Sequence, residues 1–521
     1  MVLKFGRHVA FLLLMPALLL PVLTGCSYDP RATAADPAVA GNGDSGGTVS
    51  GSPEAIAEAE KRNGTIFVNW PKPRFVLVFT GELSGYIEPC GCAGLENLKG
   101  GLSRRFSLLK RMQEKGWPAA SFDLGGSVKR VGAMQTEIKL QATVKGLIEM
   151  NYIAVGLGAD DLRLPAVTWF GAASEPFMGK TLPLTSANVD IFGFESGATA
   201  RYRTVTVGDT KIGVTAVLGD SYGKGIVNDG ITIHPVDASL KKVLADMQAE
   251  QCGGFVLLCY APPDETAAIA KRFPQFQYVV TAGGGDEPPA QLAVIPGTQT
   301  GMVEVGKKGQ YASVIGFFDD PQQPVRYQRV PLDARFPESP EMKKLLTEYE
   351  DQLRIAGFAN LGITEKIHPR SDPQDPLSAQ FVGSESCAKC HAEAFEVWKE
   401  SGHAHATATL TKLDPPRQFD PECLSCHVTG WDPQQYVPFQ TGFLGLTQTP
   451  RLTGNGCENC HGPGGAHVAA ESGNNVALRD QLRRLMHVDL ENVERTTCIK
   501  CHDHDNSPEF DFKSYWPQIE H

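Results

Sequence analysis

"CENCHGPGGAH", residues 457–467, sets two cysteines, two histidines and three glycines in eleven positions. Alone, Cys457-x-x-Cys460-His461 admits a zinc clamp, a redox dithiol or a haem attachment site. Repetition separates these readings. The same pattern recurs as "CAKCH" (Cys387, Cys390, His391), "CLSCH" (Cys423, Cys426, His427) and "CIKCH" (Cys498, Cys501, His502). Two thiols three residues apart on one helical turn can add to the two vinyl groups of a haem, and the adjoining histidine then lies under the iron as proximal ligand. A lone Cys-x-x-Cys pair also suits a zinc knuckle. Four copies, each followed by histidine, favour haem and predict four covalently bound c-type haems on residues 380–521.

That region is sparse in ordinary core residues, so the porphyrins are expected to supply much of its core. Of thirteen histidines, ten lie from His391 to His521. After the four proximal positions, His403, His405, His467, His487, His504 and His521 remain as sixth ligands, with His368 just outside. Met486 is the one methionine here, so bis-histidine ligation and low potential are expected. The enrichment favours His403, His467 and His521 over surface or propionate-contacting roles. Pro463 and its neighbouring glycines should break any helix begun by the third motif. His467 is then expected to swing towards a neighbouring haem rather than its own.

The remaining sequence bounds the setting. At 521 residues the chain should form two or three domains, given about 100 to 200 residues per domain. A net charge of −11 argues against a nucleic-acid partner, and 42% hydrophobic with 21% charged residues suits a globular protein. Residues 1–26 have a basic start (Lys4, Arg7), an apolar stretch and then Leu23-Thr24-Gly25-Cys26, the pattern of a secretory signal. Its end resembles a bacterial lipobox, which implies lipidation of Cys26 and attachment on the periplasmic side of a membrane or at the outer membrane. The plainer reading is an ordinary signal peptide with a nearby cysteine. Residues 27–65, rich in Gly, Ala, Ser, Pro and Asp, read as a flexible tether.

Between 66 and 335, "RFVLVFT" (74–80), "AASFDLG" (119–125), "YIAVGLG" (152–158), "KIGVTAVLG" (211–219), "GFVLLCYA" (254–261) and "YVVTAGGG" (278–285) are short apolar runs ending in glycine or polar residues. Helical patterns at 102–115 and 238–250 lie between them. Strands alternating with helices predict an α/β sandwich-like domain whose site lies at the strands' carboxyl ends. Residues 336–379 read as connector: a helix over 339–358 with Met342, Leu345, Tyr349, Leu353 and Ile355 on one stripe, packing on one domain, then a Pro-rich approach to the first motif.

Two resemblances follow. "FVGSESCAKCHAEAFEVWKESGHAHA", "CLSCHVTGW", "GNGCENCHGPGGAHV" and "CIKCHDHDNSPEFDFKSYWPQIEH" resemble the tetrahaem cytochromes c of nitrifying bacteria and their multihaem relatives. This implies a mainly α, haem-packed domain, mostly bis-histidine irons and electron transfer. "TGELSGYIEP", "DLGGSVKR", "MNYIAVGLGADDLRLP" and "VVTAGGG" resemble calcineurin-like metallophosphoesterases of the 5'-nucleotidase type. That family holds two metals through Asp, His and Asn, and the aligned positions here are Glu82, Ser84, Gly126, Ala159, Asp160, Tyr260, Gly283 and Gly285. Only Glu82 approximates the ligand type, so loss of phosphoesterase chemistry is expected. Cys90, Cys92, Cys252 and Cys259 stay outside haem and lipid. Cys90, Cys92 and Cys259 are candidates for a thiol or metal site, against loop disulfides. The favoured function is electron transfer between redox proteins from a lipid anchor; the alternative is a multihaem oxidoreductase acting on a small nitrogen or sulfur species at an open iron.

Overall fold

The computed structural model describes residues 51–89, 98–129, 132–504, 506–507 and 510–521. The lipidation position Cys26, and Cys90 and Cys92, lie outside them. The apolar runs become strands: Phe75–Thr80, Ala119–Asp123, Ala154–Val155, Thr210–Leu218, Gly254–Tyr260 and Tyr278–Thr281.

They divide between two sheets. In the first, Phe75–Thr80 lies parallel to Ala119–Asp123, which lies parallel to Ala154–Val155; on its other side Tyr311–Phe317 and Val325–Pro331 add antiparallel. In the second, Gly301–Glu304, Tyr278–Thr281, Gly254–Tyr260 and Thr210–Leu218 run parallel, flanked by the antiparallel edges Ala293–Val294 and Arg203–Val207. The inner faces meet over Leu77, Phe79, Phe122, Val214, Val256, Leu258 and Val280. Helix Leu102–Glu114 covers the outer face of the first sheet through Leu108 and Met112. Helices Val236–Ala249 and Pro263–Arg272 cover the second through Leu240, Val243, Met247 and Ile269. Strands buried on both faces need continuous apolar runs, and that made them readable. The result is a four-layer α/β sandwich followed by a mainly helical region.

Two expectations need correction. The stretch read as tether contains the helix Pro53–Asn63, capped by the Ser52 hydroxyl accepting from Ala55 N at 3.2 Å. It is fixed to the sandwich by Gly51 N donating to Ala334 O at 2.7 Å and Asn63 Nδ2 donating to Asp333 at 2.9 Å. Its buried side chains are Ala55 and Ala59, too small to mark an apolar stripe.

The connector helix, Pro340–Asn360, buries Met342, Leu345, Leu346, Tyr349 and Leu353, but Ile355 is 74% exposed. Two residues beyond Leu353, Ile355 sits about 200° around the helix, on the solvent side. Nor does this helix pack on one domain. Its apolar residues share one core with helix Ala133–Glu149 and with Leu410, Leu424, Trp431 and Phe443 of the motif-bearing region.

Candidate functional site

Each Cys-x-x-Cys-His sits on a short turn: Ser384–Ala388 leading into the first, Pro421–His427, Cys457–His461 and the tight turn Cys498–Lys500. In every one of the first, third and fourth motifs, the histidine ring faces another histidine from a distant segment. His391 faces His467 with ring centroids 6.4 Å apart, His461 faces His521 at 5.8 Å, and His502 faces His403 at 6.0 Å. A ligating imidazole nitrogen lies about 2 Å from its metal, with the ring centroid about 1 Å further back, so two rings sharing one iron stand about 6 Å apart. The observed spacings suit that arrangement.

Four of these histidines have their second ring nitrogen held by an oxygen, as metal-binding histidines require. His461 Nδ1 meets Met486 O at 2.7 Å, His427 Nδ1 meets Ala406 O at 2.7 Å, His502 Nδ1 meets Ser507 Oγ at 3.1 Å and His521 Nδ1 meets Ile519 O at 2.8 Å. His467 Nδ1 stands 3.5 Å from Glu471, whose carboxylate takes two 2.7 Å bonds from Arg483. Burial pushes His403 down to about 4 and lowers His427, His461, His467 and His502, favouring the neutral imidazole that binds metal.

The third motif's helix stops at Gly462, whose φ of 77° is left-handed, and a new helix, Gly465–Glu471, carries His467. His467 thus faces the first motif rather than its own. Of the other histidines in this region, His368 packs edge-on against Phe381 and Phe439, His405 stands at the start of helix Ala406–Lys412, His487 at the end of helix Val476–Met486, and the exposed His504 lies 3.4 Å from Asp286. Met486 engages His461 through its carbonyl.

The motifs also approach one another. The Cys387 and Cys457 sulfurs lie close to each other, as do those of Cys426 and Cys501, bringing the first motif beside the third and the second beside the fourth. From Val476 onward, Leu482 and Val493 are the buried hydrophobic side chains among the described residues. Such a sparse apolar core fits a region packed around large cofactors.

Residues 386–462 match the family model described as cytochrome c554 and c-prime. The haem-motif region is similar to cytochrome c554. Cytochrome c-554 of Nitrosomonas europaea is 35% identical over 99 residues, 16% of this chain and 40% of that protein, so the chain spans less than half of the curated relative's length. The match supports covalently held c-type haem here; it takes in three motifs, and the fourth lies beyond it. Among solved structures, the chain is similar to the 5'-nucleotidase precursor of Thermus thermophilus (18% identical, TM-score 0.45, covering 54% of this chain and 59% of that one). It is also similar to the NAD nucleotidase of Haemophilus influenzae (13%, 0.44, 60% and 63%) and to the calcineurin-like phosphoesterase YfkN of Bacillus subtilis (13%, 0.41, 54% and 98%).

In the front domain, the structure gathers several of the aligned positions at the carboxyl ends of the parallel strands. Gly283 N donates to both Glu82 oxygens at 3.3 and 3.4 Å, and Ser84 N donates to Gly126 O at 2.8 Å. Burial holds the Glu82 carboxyl above its usual range despite that bond and the nearby Lys307. Tyrosines fill the rest. A Cβ at Gly126 would meet Tyr260 Oη at 3.0 Å, and one at Gly283 would meet Tyr222 Oη at 2.4 Å. Asp160 turns to Arg163 at 3.1 Å.

Beside it the fully buried Asp161, which sequence reasoning missed, accepts from Gly126, Ser127, Val128 and Gly158 N at 2.7 to 3.2 Å. Cys259 lies elsewhere. Strand alternation puts it opposite Tyr260, fully buried with Leu257 and Ile269, where burial pushes its thiol up to about 12. Cys259 and the half-buried Cys252 are free thiols.

Proposed function

We propose that the chain is an exported tetrahaem cytochrome, anchored through lipid on Cys26, that relays single electrons between redox proteins on the periplasmic side of a membrane. The carrying observation is the trio of facing histidine pairs at 5.8 to 6.4 Å, each joining a motif histidine to one outside every motif. Cys387 and Cys390, Cys423 and Cys426, Cys457 and Cys460, and Cys498 and Cys501 would hold the four haems. His391, His427, His461 and His502 would be proximal ligands, and His467, His521 and His403 would complete the first, third and fourth sites. Bound haem supplies one-electron exchange, at low potential where both axial ligands are imidazole. The nearness of the Cys387 and Cys457 sulfurs, and of the Cys426 and Cys501 sulfurs, supports close spacing of the four sites. Among the described residues, no helix is long and apolar enough to cross a membrane.

The test is stoichiometry. Pyridine haemochrome analysis of the exported protein should give four haems per chain, and three after Cys457→Ala with Cys460→Ala. A colourless, zinc-loaded protein would end the cytochrome reading.

We further infer that the front domain has lost phosphoesterase chemistry and serves as scaffold. Two metals about 3.5 to 4 Å apart need several carboxylates and imidazoles. Among the described residues no three His, Cys, Asp or Glu are grouped to hold a metal ion, and Tyr260 and Tyr222 crowd the glycines at the aligned positions. Purified protein should release no phosphate from nucleotides with manganese or other divalent ions; robust manganese-stimulated release would show a site elsewhere in the fold.

A further inference from the structure

The helix bearing the second motif is gripped by the front domain and the connector through polar groups that electron transfer alone does not require. Asp420 caps Pro421–His427, accepting from Glu422 N at 2.8 Å. The same carboxylate accepts from Gln135 Nε2 at 2.8 Å and Tyr349 Oη at 3.0 Å. Lys139 meets Glu422 at 2.7 Å, and Arg417 stands 3.7 Å from Glu88. Glu422, the partner of Lys139, directly precedes Cys423 in the motif helix.

Next to Tyr349, Glu350 is 4% exposed, and its Oε2 has no hydrogen-bond partner. The charged groups facing it are Asp420 and Glu422 from the motif helix, Lys139 from helix Ala133–Glu149 and Arg417 from the loop before Asp420. Lys139 is already paired with Glu422 and Arg417 with Glu88, so a charged Glu350 would be surplus. Burial first, and Asp420 next, push its carboxyl up to about 9.

We propose that Glu350, within this cluster, is a redox-linked proton site, taking up one proton when the second motif's site gains one electron. This rests on the reading that Cys423 and Cys426 hold a haem. An added electron removes one positive charge from the neighbourhood, and a carboxylate there then binds its proton more tightly. The electron comes from the redox partner. The proton comes from water, ends on a Glu350 oxygen and returns to water on oxidation. Glu422, whose side chain is 31% exposed against 10% for its partner Lys139, is the cluster's contact with solvent.

Linkage is reciprocal. Glu350 is protonated in both redox states below the window between its oxidised and reduced pKa values, and ionised in both above it. Within the window the midpoint potential falls as pH rises. One proton per electron sets the limit, a tenfold change in equilibrium per pH unit or about 59 mV.

Redox titration of the full-length, haem-loaded protein across a pH series tests this. In the unmodified protein one of the four potentials should slope with pH, and Glu350→Gln should flatten that slope alone. Four bound haems with identical slopes in both proteins would overturn the proposal. The reduced-minus-oxidised infrared spectrum of the unmodified protein supplies an arm independent of whether the variant folds. Recorded at a pH inside that window, where Glu350 is ionised in the oxidised protein and protonated in the reduced one, a carboxyl stretch gained on reduction and shifted in D2O is expected; without such a band there the proposal fails. A chain lacking haem on Cys423 and Cys426, seen in the haem count, would instead sink the underlying reading, and the proposal with it.

Discussion

Replacing Glu458 with alanine should strongly destabilise the motif-bearing region. This glutamate sits between the two cysteines of the third motif and is 2% exposed. Its carboxylate accepts from Val382 N at 3.0 Å, Gly383 N at 2.7 Å and Gly464 N at 2.7 Å. It thereby ties the segment entering the first motif to the turn that leaves the third. Alanine would strand two buried donors, Gly383 N and Gly464 N, at about 1–3 kcal/mol each, and the part-buried Val382 N besides, a large part of the roughly 5–15 kcal/mol that keeps a domain folded. Helix propensity, which favours alanine by under about 1 kcal/mol, cannot offset this. Glu458→Gln keeps one acceptor oxygen and should lose roughly half as much. Urea unfolding of the haem-loaded protein, followed by haem absorbance and far-ultraviolet circular dichroism, measures both. A midpoint for the alanine variant close to that of the unmodified protein would show that water or a backbone shift satisfies these donors.

Glu458 also marks where sequence reading stops. The motif letters fix Cys457, Cys460 and His461, but the residues between them are free to vary in the pattern. Nothing local tells that the first of them turns inward to meet Val382 and Gly383. Elements were legible where one physical requirement dominates. Phe75–Thr80 and Gly254–Tyr260 are buried on both faces, so the sequence is unbroken and apolar. Pro53–Asn63 was not legible because alanines leave no stripe, although Ser52 before Pro53 is a cap signal.

The junction held a readable cue too. Asp420-Pro421-Glu422 is a helix start, with capping acid, proline in the first turn and a further acid behind it. What the cue could not reveal is that Gln135 and Tyr349, far away in sequence, would close around the same carboxylate. The partner of each histidine was hidden for the same reason. His467 lies six residues after His461, yet faces His391 across a helix break.

That placement gives the most specific expectation for the proposed haem sites. Replacing His467 with alanine should convert one six-coordinate, low-spin iron to high spin while four haems stay attached. Attachment survives because the first motif keeps Cys387, Cys390 and His391, none of which the substitution touches. Ligation should not survive, because the ring facing His391 at 6.4 Å belongs to His467. Glu471 lies 3.5 Å from its Nδ1 without a direct hydrogen bond, and Arg483 fixes that carboxylate through two 2.7 Å bonds, so a negative charge stands beside the ring. Loss of a strong axial donor should move one midpoint potential and leave the other three close to their original values. Added imidazole should restore the low-spin signal if the ring is the missing ligand. Electron paramagnetic resonance of the oxidised protein reads the spin state, and redox titration reads the potentials. Were all four irons to keep both their spin state and their potentials, His467 would be a structural partner of Glu471 and the first site would draw its second ligand from elsewhere.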